Sequence, residues 1–219
     1  IRHHSVKRIV NDIELQIKEY NINGLYFVDD VFTINRKKVI ELCDEIIGKR
    51  LDLKWIAQTR ADLIDDELLR VMKLAGCVGI CVGVESGSNR ILNMLNKRIT
   101  KEQIGYSVKK MKKNGIEPTL YFMLGSPTES EKEMHETINF ASNLGALIIQ
   151  VAFFTPYPGS LAYNSLKKHV KYSMFSHYNF LTHNFSSVSD AELLRLQKQF
   201  YRTHHMSFKH FIRYMTKRA

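Results

Sequence analysis

The chain has 219 residues, 44% of them hydrophobic, and 32 Lys and Arg residues against 22 Asp and Glu residues give a formal net charge of +10 at pH 7. A chain of this length and apolar content can bury a substantial core, which excludes a disordered protein. No apolar run approaches the roughly 20 residues of a membrane-spanning helix, and no secretory signal opens the chain, so we expect a cytoplasmic protein without a membrane span. The three cysteines, Cys43, Cys77 and Cys81, form no secreted-type disulfide framework and fit a reducing compartment.

An amphipathic helix is predicted over Val6–Tyr20, and a repeating strand–helix pattern follows it. The predicted strands are Leu25–Val28, Leu53–Ala57, Val78–Val84, Thr119–Leu124 and Ile148–Phe154. Helical periodicity follows each strand, and a longer stretch after the third strand, Lys101–Lys113, ends at Asn114-Gly115 as a C-terminal cap. The alternation predicts an α/β fold with a parallel sheet and outer helices, wound into a barrel or a doubly wound layer.

The first helix has no strand before it, although a crossover helix needs one to cover. Five predicted strands are also too few to close an eight-stranded barrel. We therefore expect the first strand of the fold to lie upstream of Ile1. After Tyr172 the pattern becomes helical without further strands, which predicts an α/β domain over residues 1–170 and a helical extension over 171–219.

The third predicted strand has two different faces. Its apolar face carries Val78, Ile80, Val82 and Val84, and its other face carries Gly79, Cys81 and Gly83 and leads to Glu85. The small side chains of this face leave room for a ligand beside the Glu85 carboxylate at the strand end, where parallel α/β folds bind ligands. A buried strand whose glycines only relieve packing is the alternative. Ser86-Gly87-Ser88 then supplies a turn and an N-cap for a helix over Asn89–Asn96.

Cys77 and Cys81 have a spacing that suggests a metal pair. Four residues along a strand span about 13 Å at roughly 3.3 Å per residue, which is too far for two thiolates to share one ion. We therefore expect no metal ligands in this chain.

Polar or turn residues follow the other strands as well. Asp29 and Asp30 after the first strand can hold a cation or an ammonium group, unless one of them caps the next helix. Arg60 after the second strand can pair with a ligand carboxylate, or else form a salt bridge to Asp62 or Glu85.

The fourth and fifth strands end in tight or rigid loops. Gly125, in Leu124-Gly125-Ser126-Pro127, allows close approach of the backbone. Tyr157 lies between two prolines in a loop that they make rigid, although a simple turn with a surface tyrosine has the same pattern.

Basic residues are concentrated near the C-terminus, at Lys209, Arg213, Lys217 and Arg218. Solvated basic faces are commoner than nucleic-acid sites, so RNA is an unlikely partner. The aromatic residues nearby recur at helical spacing and fit a packed helix face better than a base-stacking surface.

Taken in order, these loops resemble those of the radical S-adenosylmethionine (radical SAM) enzymes, most closely the branch with a cobalamin-binding domain. The resemblance rests on Asp29-Asp30-Val31-Phe32-Thr33, Thr59-Arg60-Ala61-Asp62, Ala75-Gly76-Cys77, Gly83-Val84-Glu85-Ser86-Gly87-Ser88, Leu124-Gly125-Ser126-Pro127 with Glu129, and Thr155-Pro156-Tyr157-Pro158-Gly159. Six loops in this order at strand–helix spacing make a specific signal. The resemblance implies a partial (βα)6-type TIM barrel with its first strand missing from this chain.

The resemblance also implies cofactor-binding roles for seven residues. They are Asp29 and Asp30 for the amino group of S-adenosylmethionine, Arg60 and Glu85 for its carboxylate and ribose, Gly125 and Tyr157 for its adenine, and Ser86, which follows Glu85, with no part of the cofactor assigned. Family members hold a 4Fe-4S cluster with three cysteines at CxxxCxxC spacing, in a loop that would precede Ile1. None of the cysteines present can replace that triad, so the chain as given is expected to be inactive.

The function implied is therefore that of a larger enzyme. We expect the intact protein to cleave S-adenosylmethionine reductively at the cluster and to methylate, cyclise or rearrange a small-molecule substrate, with flavodoxin or ferredoxin as electron donor and with cobalamin as a further cofactor. A cluster-free homologue that acts as an S-adenosylmethionine-binding scaffold is one alternative. An ordinary barrel enzyme for a phosphorylated substrate is another, although Pro156-Tyr157-Pro158 makes a poor phosphate loop.

Overall fold

A computed structural model of the chain describes residues 4–166, 181 and 183–205. Two compact units are present, Ile1–Gly83 with Glu102–Thr119, and Val84–Lys101 with Leu120–Ala219. The basic C-terminal residues Lys209, Arg213, Lys217 and Arg218, and part of the predicted extension, lie outside the described residues. Among the helices that are described, none is both long and apolar enough to cross a membrane.

The described elements alternate as the sequence predicts. The strands are β1 (Gly24–Phe27), β2 (Lys54–Thr59), β3 (Cys77–Glu85), β4 (Glu117–Leu124) and β5 (Ile148–Phe153). The helices are α1 (Val6–Tyr20), α2 (Arg36–Gly48), α3 (Asp66–Leu74), α4 (Asn89–Met94), α5 (Lys101–Lys113), α6 (Glu131–Leu144), α7 (Leu161–Leu166) and α8 (Asp190–His205). Short 3-10 helices lie at Phe32–Ile34 and Ala61–Leu63.

The strands form one sheet in chain order, β1-β2-β3-β4-β5. β1 pairs with β2, and β2 with β3, in parallel. This order is what successive strand–helix units produce, since each right-handed crossover places the next strand beside the last. Among the described strands, β1 lies at one end of the sheet with β2 as its neighbour.

In the first unit, the helices bury their apolar faces and pack against one another. Ser5 caps α1 by accepting a hydrogen bond from the Arg8 N–H (3.3 Å), and α1 buries Val6, Val10 and Ile13. α2 packs against both α1 and α3. The periodic apolar positions in the sequence thus become the contact faces of the outer helices.

The turn from α3 into β3 requires its glycine. Gly76 has a φ of +93°, and a Cβ there would lie 1.9 Å from the carbonyl oxygen of Leu53. The indole Nε1 of Trp55 donates to the carbonyl oxygen of Ala75 at 2.7 Å, so the same turn is held from the neighbouring strand. Backbone and side chain together fix where β3 begins.

The predicted apolar face of β3 is buried except at its start, and Cys81 on the opposite face is buried as well, at 4% exposed. Ile80, Val82 and Val84 are each 0% exposed, as predicted for the apolar face, but Val78 is 38% exposed. The reason is a β-bulge: Trp55 pairs with Cys77 and Ile56 with Gly79, so Val78 is an extra residue on β3. The bulge removes Val78 from the alternation that the rest of the strand follows.

In the second unit, α8 satisfies the backbone of β5. The N–H of Val151 donates to the hydroxyl of Tyr201 (2.9 Å), and the Val151 carbonyl accepts a hydrogen bond from Nε2 of Gln197 (3.1 Å). Phe200 packs against Phe122 with ring centroids 5.1 Å apart. Side chains of α8 therefore occupy backbone groups that an edge strand would otherwise leave unpaired.

Replacing Tyr201 with Phe tests this contact. Val151 is 1% exposed, so loss of the hydroxyl leaves a buried N–H without its acceptor. We expect the free energy of unfolding, measured in urea, to fall by about 1–3 kcal/mol. Tyr106→Phe, at a 62% exposed position, is the matched control and should change stability by less than about 0.5 kcal/mol. Equal stability of the two variants would show that the Tyr201 hydroxyl is not needed.

Candidate functional site

The seven residues predicted to bind the cofactor are divided between the two units. Asp29, Asp30 and Arg60 belong to the first unit, and Glu85, Ser86, Gly125 and Tyr157 belong to the second.

In the first unit, the loop after β1 carries two predicted site residues, Asp29 and Asp30. Asp29 and Asp30 are both exposed, and the hydroxyls of Thr33 and Thr59 share a buried hydrogen bond that ties this loop to the end of β2. Asp29 also lines a cavity of about 230 Å³ whose other walls include Phe27 and apolar side chains of α1 and α2. The loop thus presents a carboxylate beside an apolar cavity, and the role predicted for the two aspartates stays a prediction.

Arg60 adopts the alternative that the sequence left open. Its guanidinium donates two hydrogen bonds to the carboxylate of Asp62, both at 2.9 Å, and this contact raises the pKa of Arg60. The next residue, Ala61, accepts a hydrogen bond from Oγ of Ser107 at 2.7 Å. The end of β2 therefore has a fixed arginine–carboxylate pair, and binding of a ligand carboxylate by Arg60 stays a prediction.

In the second unit, Glu85 ends β3 in an uncommon backbone conformation. Its φ is +66°, in the left-handed region that a non-glycine residue occupies at an energetic cost. Its Oε1 lies 2.7 Å from Nζ of Lys97, and both side chains are about one-quarter exposed. Lys97 lies twelve residues further along the chain, after α4, and sequence analysis did not identify it.

Glu85 faces a cavity of about 280 Å³, together with another predicted residue, Tyr157. The other walls include Tyr121 and Met123 of β4 and Gln150 of β5. Glu85 thus points toward the ends of the next two strands, as the alternation of β3 predicts. The cavity combines a carboxylate, an amide, phenol rings and a thioether, a combination suited to a ligand with both a polar and a flat apolar part.

The turn after Glu85 is packed directly onto α6. Ser86 is 0% exposed, its hydroxyl lies 3.1 Å from that of Thr137, and Thr137 also accepts the N–H of Gly87 at 2.9 Å. A Cβ at Gly87 would lie 2.8 Å from the Cα of Thr137, so this position needs glycine. Ser88 caps α4, as predicted. These contacts place Ser86 inside the turn, and its contact with a cofactor stays a prediction.

Gly125 begins the loop after β4, which folds around a buried carboxylate. Gly125 has a φ of +83°, and the N–H groups of Gly125 and Ser126 both donate to Oε2 of Glu129, at 2.8 and 3.0 Å. Glu129 is 0% exposed, and burial raises its pKa to about 7. The loop therefore depends on a carboxyl group that titrates near neutral pH.

A cluster of polar side chains that sequence analysis missed joins the turn after β3 to the loop after β4. Glu133 at the start of α6 accepts hydrogen bonds from Arg90 of α4, from Ser88 and from Ser130. Arg90 holds the pKa of Glu133 at about 2. The capping-box spacing of Ser130 and Glu133 is a sequence signal that could have found this helix start.

The cysteines do not form a cluster site. All three are buried, and burial raises the pKa of Cys43 and Cys77 to about 12, which disfavours the thiolate that an iron–sulfur cluster requires. Over residues 4–166, 181 and 183–205, no group of three or more His, Cys, Asp or Glu side chains is placed to hold a metal ion. The described residues thus do not fit a 4Fe-4S cluster.

Glu129→Gln tests the buried carboxyl. The folded-state pKa of about 7 lies above the ordinary value of 4.5, so the folded state keeps its proton longer than the unfolded state does. Between about pH 4.5 and 7 this group therefore makes stability fall as pH rises, by up to about 3 kcal/mol. Gln removes the titration and keeps an acceptor for the two N–H groups.

We expect urea unfolding to show that Glu129→Gln has a larger free energy of unfolding than the parent chain at pH 8. Between pH 5 and pH 8, its free energy of unfolding should fall by less than that of the parent chain. Glu41→Gln, at an exposed position, is the control and should leave the pH dependence of the parent unchanged. A Glu129→Gln chain with the parent's pH dependence would contradict the raised pKa.

Comparison with known proteins identifies related sequences over most of this chain. An uncharacterized methyltransferase of Pyrococcus horikoshii is 36% identical over 159 residues, which cover 73% of this chain and 35% of that protein. The anaerobic magnesium-protoporphyrin IX monomethyl ester cyclase of Rubrivivax gelatinosus is 32% identical over 178 residues, covering 80% of this chain and 32% of the cyclase. This chain thus spans about a third of the length of these relatives.

Solved structures show the same fold. The radical S-adenosylmethionine methyltransferase TsrM of Kitasatospora setae, solved with cobalamin and a 4Fe-4S cluster, matches with a TM-score of 0.63 at 18% identity, over 69% of this chain and 31% of TsrM. The α/β partial-barrel class predicted from the sequence is confirmed. Residues 1–141, more than half of the sequence, match the family model of the radical SAM superfamily. The chain belongs to the radical SAM superfamily.

Proposed function

We propose that this chain is the S-adenosylmethionine-binding core of a larger radical SAM enzyme that methylates, cyclises or rearranges a small-molecule substrate. The observation that carries the proposal is the cavity in the second unit, where Glu85 and Tyr157 meet at the ends of β3, β4 and β5. A carboxylate beside aromatic side chains suits a nucleoside, because ribose hydroxyls donate to a carboxylate and adenine packs on apolar and aromatic surface. Two related proteins are named as a methyltransferase and a cyclase, which supports this range of reactions.

In this proposal each residue has a binding or orienting role. Glu85 accepts hydrogen bonds from the ribose hydroxyls, and Lys97 holds the Glu85 carboxylate through its 2.7 Å ion pair. Tyr157 and the backbone at Gly125 lie beside the adenine, and Ser86 fixes the turn that carries Glu85. For Asp29, Asp30 and Arg60 of the first unit, the predicted roles toward the amino group and the carboxylate of S-adenosylmethionine are kept as part of the proposal, and none of the three is placed at the cavity of the second unit.

The cluster, if the full-length protein has one, draws its ligands from outside the described residues, since these do not fit it. The chemistry supplied by a bound cluster is one-electron reduction of the sulfonium group of S-adenosylmethionine, with the electron delivered by flavodoxin or ferredoxin. Cobalamin is proposed as a further cofactor because it is present in TsrM, which shares the fold. This chain's own residues bind and orient the cofactor.

The test uses the full-length protein that contains this chain, reconstituted anaerobically with iron and sulfide. We expect reduction in the presence of S-adenosylmethionine to yield 5′-deoxyadenosine. Glu85→Ala should weaken binding of S-adenosylmethionine about tenfold or more, because a charge-assisted contact is lost. Iron content should be unchanged, since Glu85 is not a cluster ligand.

Glu41→Ala, at an exposed position on α2, is the control and should bind S-adenosylmethionine as the parent does. A full-length protein that binds S-adenosylmethionine but incorporates no iron would support the scaffold alternative. A protein that binds no S-adenosylmethionine would contradict the proposed function.

A further inference from the structure

We propose that Arg90 and Glu133 are positioning residues for the cofactor site. Their ion pair joins two strand-end loops of the second unit, Glu85–Ser88 and Gly125–Ser130, and so holds the Glu85 carboxylate toward its cavity. The assignment of the ligand as S-adenosylmethionine rests on the proposed function, whereas the coupling of the two loops does not.

Glu133 is the point where three elements meet. Its Oε1 accepts hydrogen bonds from Oγ of Ser88 (3.0 Å) and from Nε of Arg90 (2.7 Å). Its Oε2 accepts from Nη2 of Arg90 (2.7 Å) and from the N–H and hydroxyl of Ser130 (3.0 and 2.7 Å). One carboxylate, on a residue that is 8% exposed, thus fastens the turn after β3 and the loop after β4 to α6.

Arg90 adds a second connection between the same loops. Besides its two bonds to Glu133, its guanidinium donates to the carbonyl oxygen of Thr128 (2.9 Å) and to the Thr128 hydroxyl (3.2 Å). A bidentate arginine–carboxylate pair fixes direction as well as distance, which a lysine does not. Arg90, carried by α4 directly after the first loop, therefore holds the second loop by its backbone.

Both loops have a conformation that needs such support. Glu85 and Thr128 have φ values of +66° and +60°, and neither is a glycine. Left-handed backbone at such residues persists only where surrounding contacts over-determine it. The strained residue in one loop ends the strand that leads to Ser88, and the strained residue in the other is bonded to Arg90 directly. The contacts of Arg90 and Glu133 thus support the two loops at the residues whose backbone would otherwise relax, Glu85 and Thr128.

The experiment compares Arg90→Met, Glu133→Gln and the double variant in the full-length protein. Arg90→Met keeps the length and apolar contacts of the side chain and removes its charge and donors. The matched control is Arg195→Met: Arg195 lies in the same unit, is similarly exposed (57% against 53%) and pairs with Glu192 and Glu131. Arg90→Lys tests whether charge alone is enough.

Two measurements are made below the temperature at which any variant unfolds. Titration calorimetry with S-adenosylmethionine should show binding about tenfold weaker for Arg90→Met and for Glu133→Gln. Arg90→Lys should recover only part of the loss, and Arg195→Met should bind as the parent does. The double variant should be no weaker than the weaker single variant, since both changes remove the same pair. Amide hydrogen exchange should be faster at residues 85–88 in Arg90→Met and unchanged there in Arg195→Met.

A purely structural role would lower stability without changing the affinity of the folded protein. Parent-like affinity in Arg90→Met and Glu133→Gln would therefore overturn the positioning role even if both were less stable. If the parent itself bound no S-adenosylmethionine, the proposed function would fail, and exchange would decide the coupling alone. Faster exchange at residues 85–88 in Arg90→Met would then support the coupling, and unchanged exchange would overturn it.

Discussion

The second unit depends on one buried junction, the carboxylate of Glu133 at the start of α6. This carboxylate accepts a hydrogen bond from the N–H of Ser130 at the start of α6 and another from Ser88 in the turn after β3, and it forms an ion pair with Arg90. The pair keeps its charge at physiological pH, because Arg90 holds the pKa of Glu133 at about 2. A parallel strand ends where its hydrogen-bonded ladder stops, so the loops beyond β3 and β4 need side-chain contacts of this kind to have a defined shape.

The pKa of the neighbouring carboxyl, Glu129, is shifted in the opposite direction to that of Glu133. Glu129 is more deeply buried than Glu133, 0% against 8% exposed, and two backbone N–H groups offset its desolvation less well than a guanidinium does, so its pKa rises to about 7. Four residues apart in sequence, one carboxyl is permanently charged and the other titrates near neutrality. The loop that carries Gly125 is therefore fixed on one side by a constant ion pair and on the other by a group that responds to pH.

Much of this could be predicted from the sequence, because strand alternation and helix periodicity are local. Period two along β3 predicted that Ile80, Val82 and Val84 share one buried face and that Glu85 lies on the other side of the strand. Val78 could not be placed, since the β-bulge is a property of the pairing with β2. Lys97 and Arg90 were missed because their partners are brought near by the path of the chain around α4 and α6, and a single sequence does not show such pairs. Arg60 had two possible partners, and the nearer one, Asp62, prevails.

The central claim is that S-adenosylmethionine binds in the cavity lined by Glu85 and Tyr157. A crystal structure of the full-length protein with S-adenosylmethionine bound tests it most directly. The account predicts ribose hydroxyls within about 3 Å of the Glu85 carboxylate and adenine beside Tyr157. A cofactor bound elsewhere, with this cavity filled only by water and Glu85 paired with Lys97 alone, would contradict it.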